Sequence, residues 1–335
     1  MHTRENALND WLNTILPNTE FAITPLTGDA SFRRYYRLQT PGSTQIIMDA
    51  PPDKIDLTPF LTIGQALRQQ GFATPQAHAM DATQGFVLLD DFGDQLLLNA
   101  ISDENADQLY RSALFTLANL QQCSIQTPKL NVFDNTLMLN ELSLFRDWFL
   151  ERYLGLTLQR DEELLLNDTY DWLVDQIANQ PQVFVHRDYH SRNIMVIPPT
   201  NSADQPSLGI IDFQDAVCGP FTYDAVSLLK DCYIQWPREQ ISHWLTYFYE
   251  HLTIPHQYSM AEFNQAFDLC GLQRHIRVLG TFCRLHLRDN KSNYLRDLPL
   301  TYHYMMTCLE YYKELRPFQA FILKRVHAPF LSKAA

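Results

Sequence analysis

His186-Arg187-Asp188-Tyr189-His190-Ser191-Arg192-Asn193 is the stretch on which the reading of this chain turns. It lies between the apolar runs VFV (183–185) and IMVI (194–197), so its polar side chains belong to a loop at the end of a strand. A second apolar segment, LGIIDF (208–213), follows a Pro/Ser/Asn-rich connection, PPTNSADQPS (198–207), and places Asp212 at its end. Two apolar strands around such a connection predict a hairpin. That hairpin brings a carboxylate, an amide and a second carboxylate to one edge. Phosphoryl transfer needs this set, because a proton acceptor must orient the attacking hydroxyl and hard oxygen donors must hold Mg²⁺ on the phosphates. Asp188 is the candidate base, and Asn193 and Asp212 are the candidate metal ligands.

Working outward from the loop, the two sides of the chain differ in texture. On the N-terminal side, FAITPL (21–26), FRRYYRL (32–38), QIIMDAP (45–51) and GFVLLDDFG (85–93) read as strands broken by TGDAS and TPGST. PFLTIGQALRQQG (59–71) reads as one helix closed by Gly71. Leu8, Trp11, Leu12, Ile15 and Leu16 recur at helical spacing and predict an amphipathic first helix rather than a signal peptide. Beyond residue 103 the pattern is helical, apart from the island around the loop. The expected fold is therefore α+β. An N-lobe over 1–91 is followed by a helical C-lobe over 94–335, with the hinge near 89–93 and the catalytic hairpin at 183–213 inside the C-lobe.

Composition limits the function classes. Of the 335 residues 46% are hydrophobic, and 20 Phe, 16 Tyr and 5 Trp supply ample area for a core. A net charge of −12 disfavours nucleic acid and anionic membranes as partners, and it calls for local cations wherever a nucleotide is to bind. Six cysteines without a CxxC pair read as reduced thiols of a cytoplasmic protein. Cys283 and His286, three apart, read as a buried thiol and a core histidine rather than a metal pair. The sequence leaves oligomeric state open.

Asp91-Phe92-Gly93 spells the metal-binding signature of protein kinases but precedes the His-Arg-Asp segment, whereas in that signature it follows. It reads as the connection between lobes, with backbone near Leu89 to Asp91, including Asp90, placed to bond an adenine edge. The third strand lacks the lysine that pairs with phosphates, carrying Met48 and Asp49 instead, and the helix after it has no acid. Cations must come from elsewhere. Arg33 and Arg34 are nearest, and strand alternation turns only one of them toward the site. Ser31, in the GDAS turn ahead of them, is a candidate backbone or hydroxyl contact to ATP.

HRDYHSRN followed by IIDFQDAVCGPFTYDAVSLLKD (210–231) resembles the aminoglycoside phosphotransferase and choline kinase superfamily. The resemblance implies a two-lobed protein-kinase-like fold, ATP and Mg²⁺ as cofactors, His186 as a brace of the loop, and Asp224 as a structural acid. Asp224 also stands where an N-cap of the next helix is expected. GDASFRRYYR, IMDAPPD, GFVLLDDFGD and RLHLRDNKSNYLRDLP (284–299) resemble the bacterial anomeric sugar kinases of cell-wall recycling, over roughly Leu8 to Tyr312. That subgroup implies N-acetylmuramate and N-acetylglucosamine as acceptors. Kinases of other hydroxylated metabolites or of aminoglycosides, and an inactive nucleotide-binding scaffold, are the alternatives. His190, Arg192 and Asp215 either touch the sugar or stabilise the loop. Arg284, Arg288 and Asp297 either meet the substrate or form surface ion pairs at a helix end.

Overall fold

A computed structural model describes residues 4–26, 32–124, 128–198, 207–253 and 258–334. They divide into two compact units. Residues 1–96 and 193–215 form one, and residues 97–192 and 216–335 the other. The polypeptide thus passes from the second unit to the first between Arg192 and Asn193, and returns after Asp215.

In the first unit, strands β1 (Ala22–Leu26), β2 (Arg34–Thr40), β3 (Ser43–Asp49), β4 (Ala77–Asp81) and β5 (Phe86–Asp90) build an antiparallel sheet ordered β1-β2-β3-β5-β4. Period-two alternation assigns its faces. Leu38, Ile47, Phe86 and Leu88 pack against Leu8, Trp11 and Leu12 of the helix Arg4–Ile15. At the rim of that face Asp49, 1% exposed, accepts a hydrogen bond from Arg4 Nε at 2.6 Å and pairs with Arg34 Nη2 at 2.7 Å. Two arginines thus neutralise an otherwise costly buried carboxylate. The sequence reading missed β4, whose AHAMD has only weak strand character.

The hairpin is present as β8 (Ile194–Ile197) and β9 (Ser207–Ile210), antiparallel with Ile194 opposite Ile210. Its edges are tied down. Ile210 N bonds Ala73 O at 2.8 Å, and Val196 N bonds Gln95 O at 2.8 Å. Gly209 leaves room for the Phe92 ring, which would lie 2.6 Å from a β-carbon there. Phe213 stacks on Phe60 of the helix Thr58–Gln69 at 5.1 Å, and Gly64 of that helix lets the ring lie close.

The second unit is mainly helical around one 30-residue helix, Met260–Asp289. Ser259 and Glu262 cap its start reciprocally, and Asn290 closes it in the left-handed conformation. The α-helix Asn135–Leu144 widens to a π-helix over Phe145–Tyr153. Gly280 accounts for the close crossing there, since a β-carbon would stand 2.3 Å from the Leu144 carbonyl carbon. Strand β7 (Gln182–Val185), expected to belong with the hairpin, pairs instead with β10 (Val217–Pro220), which also bonds the short β6 (Asn131–Val132). The loop 186–193 therefore leaves one sheet and enters another. Among the described residues no helix is long and apolar enough to cross a membrane.

Candidate active site

The loop is held by buried carboxylates. Arg187 has φ +75°, a strained conformation for a side-chain-bearing residue. Asp224 fixes it there. Its Oδ2 accepts the His186 N–H at 2.6 Å and its Oδ1 the Arg187 N–H at 3.0 Å. The N-cap expected of Asp224 is not what it forms. It sits inside the first turn of the helix Tyr223–Leu229, behind Thr222, and points back to the loop. The His186 ring nitrogen Nδ1 accepts the Asp188 N–H at 3.3 Å. Asp231, which the sequence reading passed over, accepts the Ser191 N–H at 3.0 Å and the Tyr233 N–H at 3.1 Å.

Asp188 sits in a strongly cationic environment. Burial by itself would raise its carboxyl, but Arg277, His190, Arg274 and Arg187 outweigh burial and hold it at about 2. Of these arginines, Arg277 on the long helix and Arg187 in the loop are themselves anchored through Glu141, 7% exposed. Glu141 pairs with Arg277 Nε at 3.4 Å, receives a bond from Gln273 Nε2 at 3.2 Å, and pairs with Arg187. Neither Arg277 nor Glu141 was singled out from sequence. Each lies in an amphipathic helical pattern where a charged residue reads as solvated, and only tertiary contact reveals otherwise.

In the first unit Asp212 has φ +63°, a second strained position. Its Oδ2 is 3.5 Å from Asn193 Nδ2, and Ile211 N bonds Asn193 O at 3.1 Å, so the hairpin does bring these two residues together. Gln214 Nε2 bonds both Asp212 Oδ1 at 2.8 Å and Asp215 Oδ2 at 3.1 Å. A half-turn of the Asn193 amide presents its oxygen beside the Asp212 carboxylate. The donor set fits Mg²⁺, which takes one or two protein oxygens and completes its shell with phosphate and water. Among the described residues no cluster of three or more His, Cys, Asp or Glu forms a site of any other kind.

Alternation separates the two arginines. Arg34 faces the first helix and is committed to Asp49, whereas Arg33 Nη1 lies 3.7 Å from Asp212 Oδ1. Tyr35, also missed from sequence, hydrogen-bonds Arg33; burial pushes its hydroxyl up to about 12, with Arg33 opposing and Asp212 adding. Asp91 of the misplaced signature is bound by Arg37 at 2.8 Å and caps Gly93 N at 2.9 Å, a structural use. The Asp90 carboxylate is taken by His78 Nε2 at 2.6 Å and Gln76 N at 2.9 Å, and the Asp90 N–H bonds Gln76 O at 3.2 Å. Ser31 lies outside the described residues.

Of the remaining candidates, His190 and Arg192 both lie on Tyr233. The imidazole meets it edge-on at 5.3 Å, and the Arg192 guanidinium stands 3.7 Å over the ring. Asp297 is half-buried, and burial raises its carboxyl against the pull of Arg192 and Arg296. Arg288 is bound at two points by Asp289, both at 2.8 Å. Cys283 is buried, and His286 Nδ1 is 3.0 Å from Ser292 Oγ.

An antiparallel β lobe with a helical lobe, and a His-Arg-Asp loop followed by an asparagine and an aspartate on a hairpin, define a phosphotransferase of the protein-kinase-like fold. The sequence matches the model of the phosphotransferase enzyme family (APH) over residues 22–263, and the chain belongs to that family. It is 37% identical over 325 residues to an N-acetylmuramate/N-acetylglucosamine kinase of Pseudomonas aeruginosa, covering 93% of this chain and 94% of the relative. A Neisseria meningitidis protein of the same name is 34% identical, with 96% of each chain covered. Among solved structures, a choline kinase from Streptococcus pneumoniae superposes with a TM-score of 0.63 at 12% identity, over 90% of this chain and 99% of that one.

Proposed function

We propose that the protein is an ATP-dependent kinase of the anomeric hydroxyl of N-acetylmuramate and N-acetylglucosamine. The supporting observation is similarity over nearly the whole of both chains to relatives carrying that name, joined to an intact Asp188, Asn193 and Asp212. Asp188 would orient the sugar hydroxyl and accept its proton. Asn193 and Asp212 would hold Mg²⁺, which would supply neutralisation of the charge developing on the ATP phosphates. Arg33 stands in for the lysine missing from β3, and Arg34 does not share that role. The Asp188 carboxylate is kept ionised, and the Glu141–Arg277 pair keeps its field in place. A cytoplasmic setting fits six thiols that are all free and buried.

Purified protein incubated with ATP, Mg²⁺ and a panel of the two amino sugars, choline, homoserine and kanamycin tests the reading. Turnover is expected with the amino sugars, and the product is expected to lose its reducing end. Turnover only with another member of the panel would replace the acceptor. ATP binding without turnover on any acceptor would favour a scaffold.

Arg33 gives a second test. Arg33→Ala is expected to raise KM for ATP about tenfold, the effect of one charge-assisted contact. Arg34→Ala is expected to leave KM for ATP near the wild-type value and to cost stability instead, because Asp49 loses a partner. Equal effects of the two on KM would remove the assignment.

A further inference from the structure

One face of the long helix Met260–Asp289 carries Arg274, Arg277, Thr281, Arg284 and Arg288, spaced alternately three and four apart. The inner end of this row is engaged. Arg277 Nη1 bonds Tyr223 Oη at 2.8 Å and its Nε pairs with Glu141, and both Arg274 and Arg277 act on Asp188. The outer end is engaged as well, since Asp289 holds Arg288. The middle is not. Among the described residues Arg284 makes no ion pair or hydrogen bond, and its buried Nε lacks an acceptor. The buried Thr281 Oγ1, one turn away, lacks a partner too.

This arrangement is costly for the protein alone. A half-buried guanidinium loses hydration, and Arg288 and Arg277 on the same face add like charge, offset only in part by Asp289. A ligand anion would relieve all three costs. The spacing along the helix from Arg277, which acts on Asp188, suits the acceptor proposed above. Arg284 is two turns beyond Arg277, roughly 10 Å along the axis. That is the scale of one sugar ring with a short acid arm. The two amino sugars differ in this respect, because N-acetylmuramate carries a lactyl carboxylate on C3 and N-acetylglucosamine a bare hydroxyl.

We infer that Arg284, with the Thr281 hydroxyl beside it, receives the carboxylate of the acidic sugar and sets the preference between the acidic and the neutral acceptor. The inference rests on the kinase reading. It separates Arg284 from Arg288, which Asp289 already neutralises. A planar guanidinium suits a carboxylate because it can bond both oxygens.

The test is the ratio of kcat/KM for N-acetylmuramate to that for N-acetylglucosamine in wild type, Arg284→Gln, Arg284→Lys and Arg288→Gln. Arg284→Gln is expected to lower the ratio about 10- to 100-fold, through KM for the acidic sugar, with the neutral sugar changed less than about threefold. Arg284→Lys should recover part of the loss, and Arg288→Gln should leave the ratio unchanged. A ratio unchanged in Arg284→Gln, or lowered as much in Arg288→Gln, overturns the inference and leaves the kinase reading standing. If wild type turns over neither sugar, the kinase reading falls, and binding decides the inference. Thermal stabilisation by N-acetylmuramate beyond that by N-acetylglucosamine, lost in Arg284→Gln, supports it, and equal or no stabilisation overturns it.

Discussion

Asp188→Asn is expected to reduce kcat by about 10²- to 10³-fold while leaving KM for ATP within about threefold. The magnitude follows from the environment of the carboxylate. With Arg277, His190, Arg274 and Arg187 holding it at about 2, Asp188 is a weak proton acceptor at neutral pH. In the proposed reaction it would therefore act first by orienting the hydroxyl through a hydrogen bond. The proton would transfer late, as the bond to phosphorus forms and the hydroxyl becomes acidic, which suits a loose transition state. Asparagine keeps the shape but can neither take the proton nor hold the hydroxyl as strongly. Steady-state kinetics on the amino sugars check this, and a variant within about tenfold of wild type would remove Asp188 from the role. The same shift fixes a pH dependence. The folded value lies below the ordinary 3.8, so this group's stabilising contribution is present above about pH 4 and is lost as pH falls toward 2. The acid limb of kcat/KM above about pH 4 then belongs to another group, and Asp188→Asn should flatten the acid loss of stability.

Asp224→Ala is expected to cost about 3–5 kcal/mol of unfolding free energy, read from urea denaturation, because it strands two buried N–H donors at once. Those donors are on His186 and on Arg187, whose positive φ already stores strain. Without the acceptor the Arg187 N–H loses the bond that fixes this backbone conformation, and Asp188 follows it directly in the chain. Activity should therefore fall with stability, and kcat measured well below the unfolding midpoint should still be reduced. Burial pushes the Asp224 carboxyl up to about 7, with the two donors opposing and Asp188 adding to the rise. A folded value above 3.8 means that the folded state binds the proton more tightly. The contribution of this group is thus fully present below about pH 4 and declines as pH rises through 7. Stability curves of wild type and variant should differ in slope across that interval. A loss under about 1 kcal/mol would mean that other contacts secure the loop.

The lobe order and the hairpin were legible because local pattern suffices for them. Short runs rich in apolar, aromatic or β-branched residues mark β2, β3 and β5, a 3.6-residue period marks the first helix, and the Pro/Ser/Asn connection marks the turn between β8 and β9. The pairing of Asn193 with Asp212 was legible for a similar reason, since one hairpin motif displays both. Partnerships across distant segments were not. Glu141 lies 46 residues before Arg187 and reads as one more acid on a helix until it is found buried beside Arg187 and Arg277. Asp231 and Tyr35 are of the same kind.

The residues by themselves therefore determined the class of chemistry, with Asp188, Asn193 and Asp212 in order along a loop and hairpin. They also left Arg33 and Arg34 as equal candidates, attached β7 to the hairpin, and grouped Arg284 with Arg288. Tertiary structure decided each of these. Arg34 meets Asp49 while Arg33 meets Asp212, β7 pairs with β10, and Asp289 claims Arg288 but leaves Arg284 without a partner among the described residues. The physical reason is common to all three. Residue type and spacing specify which face a side chain takes, but the charge or strand it meets there comes from elsewhere in the chain, and only folding brings the two together.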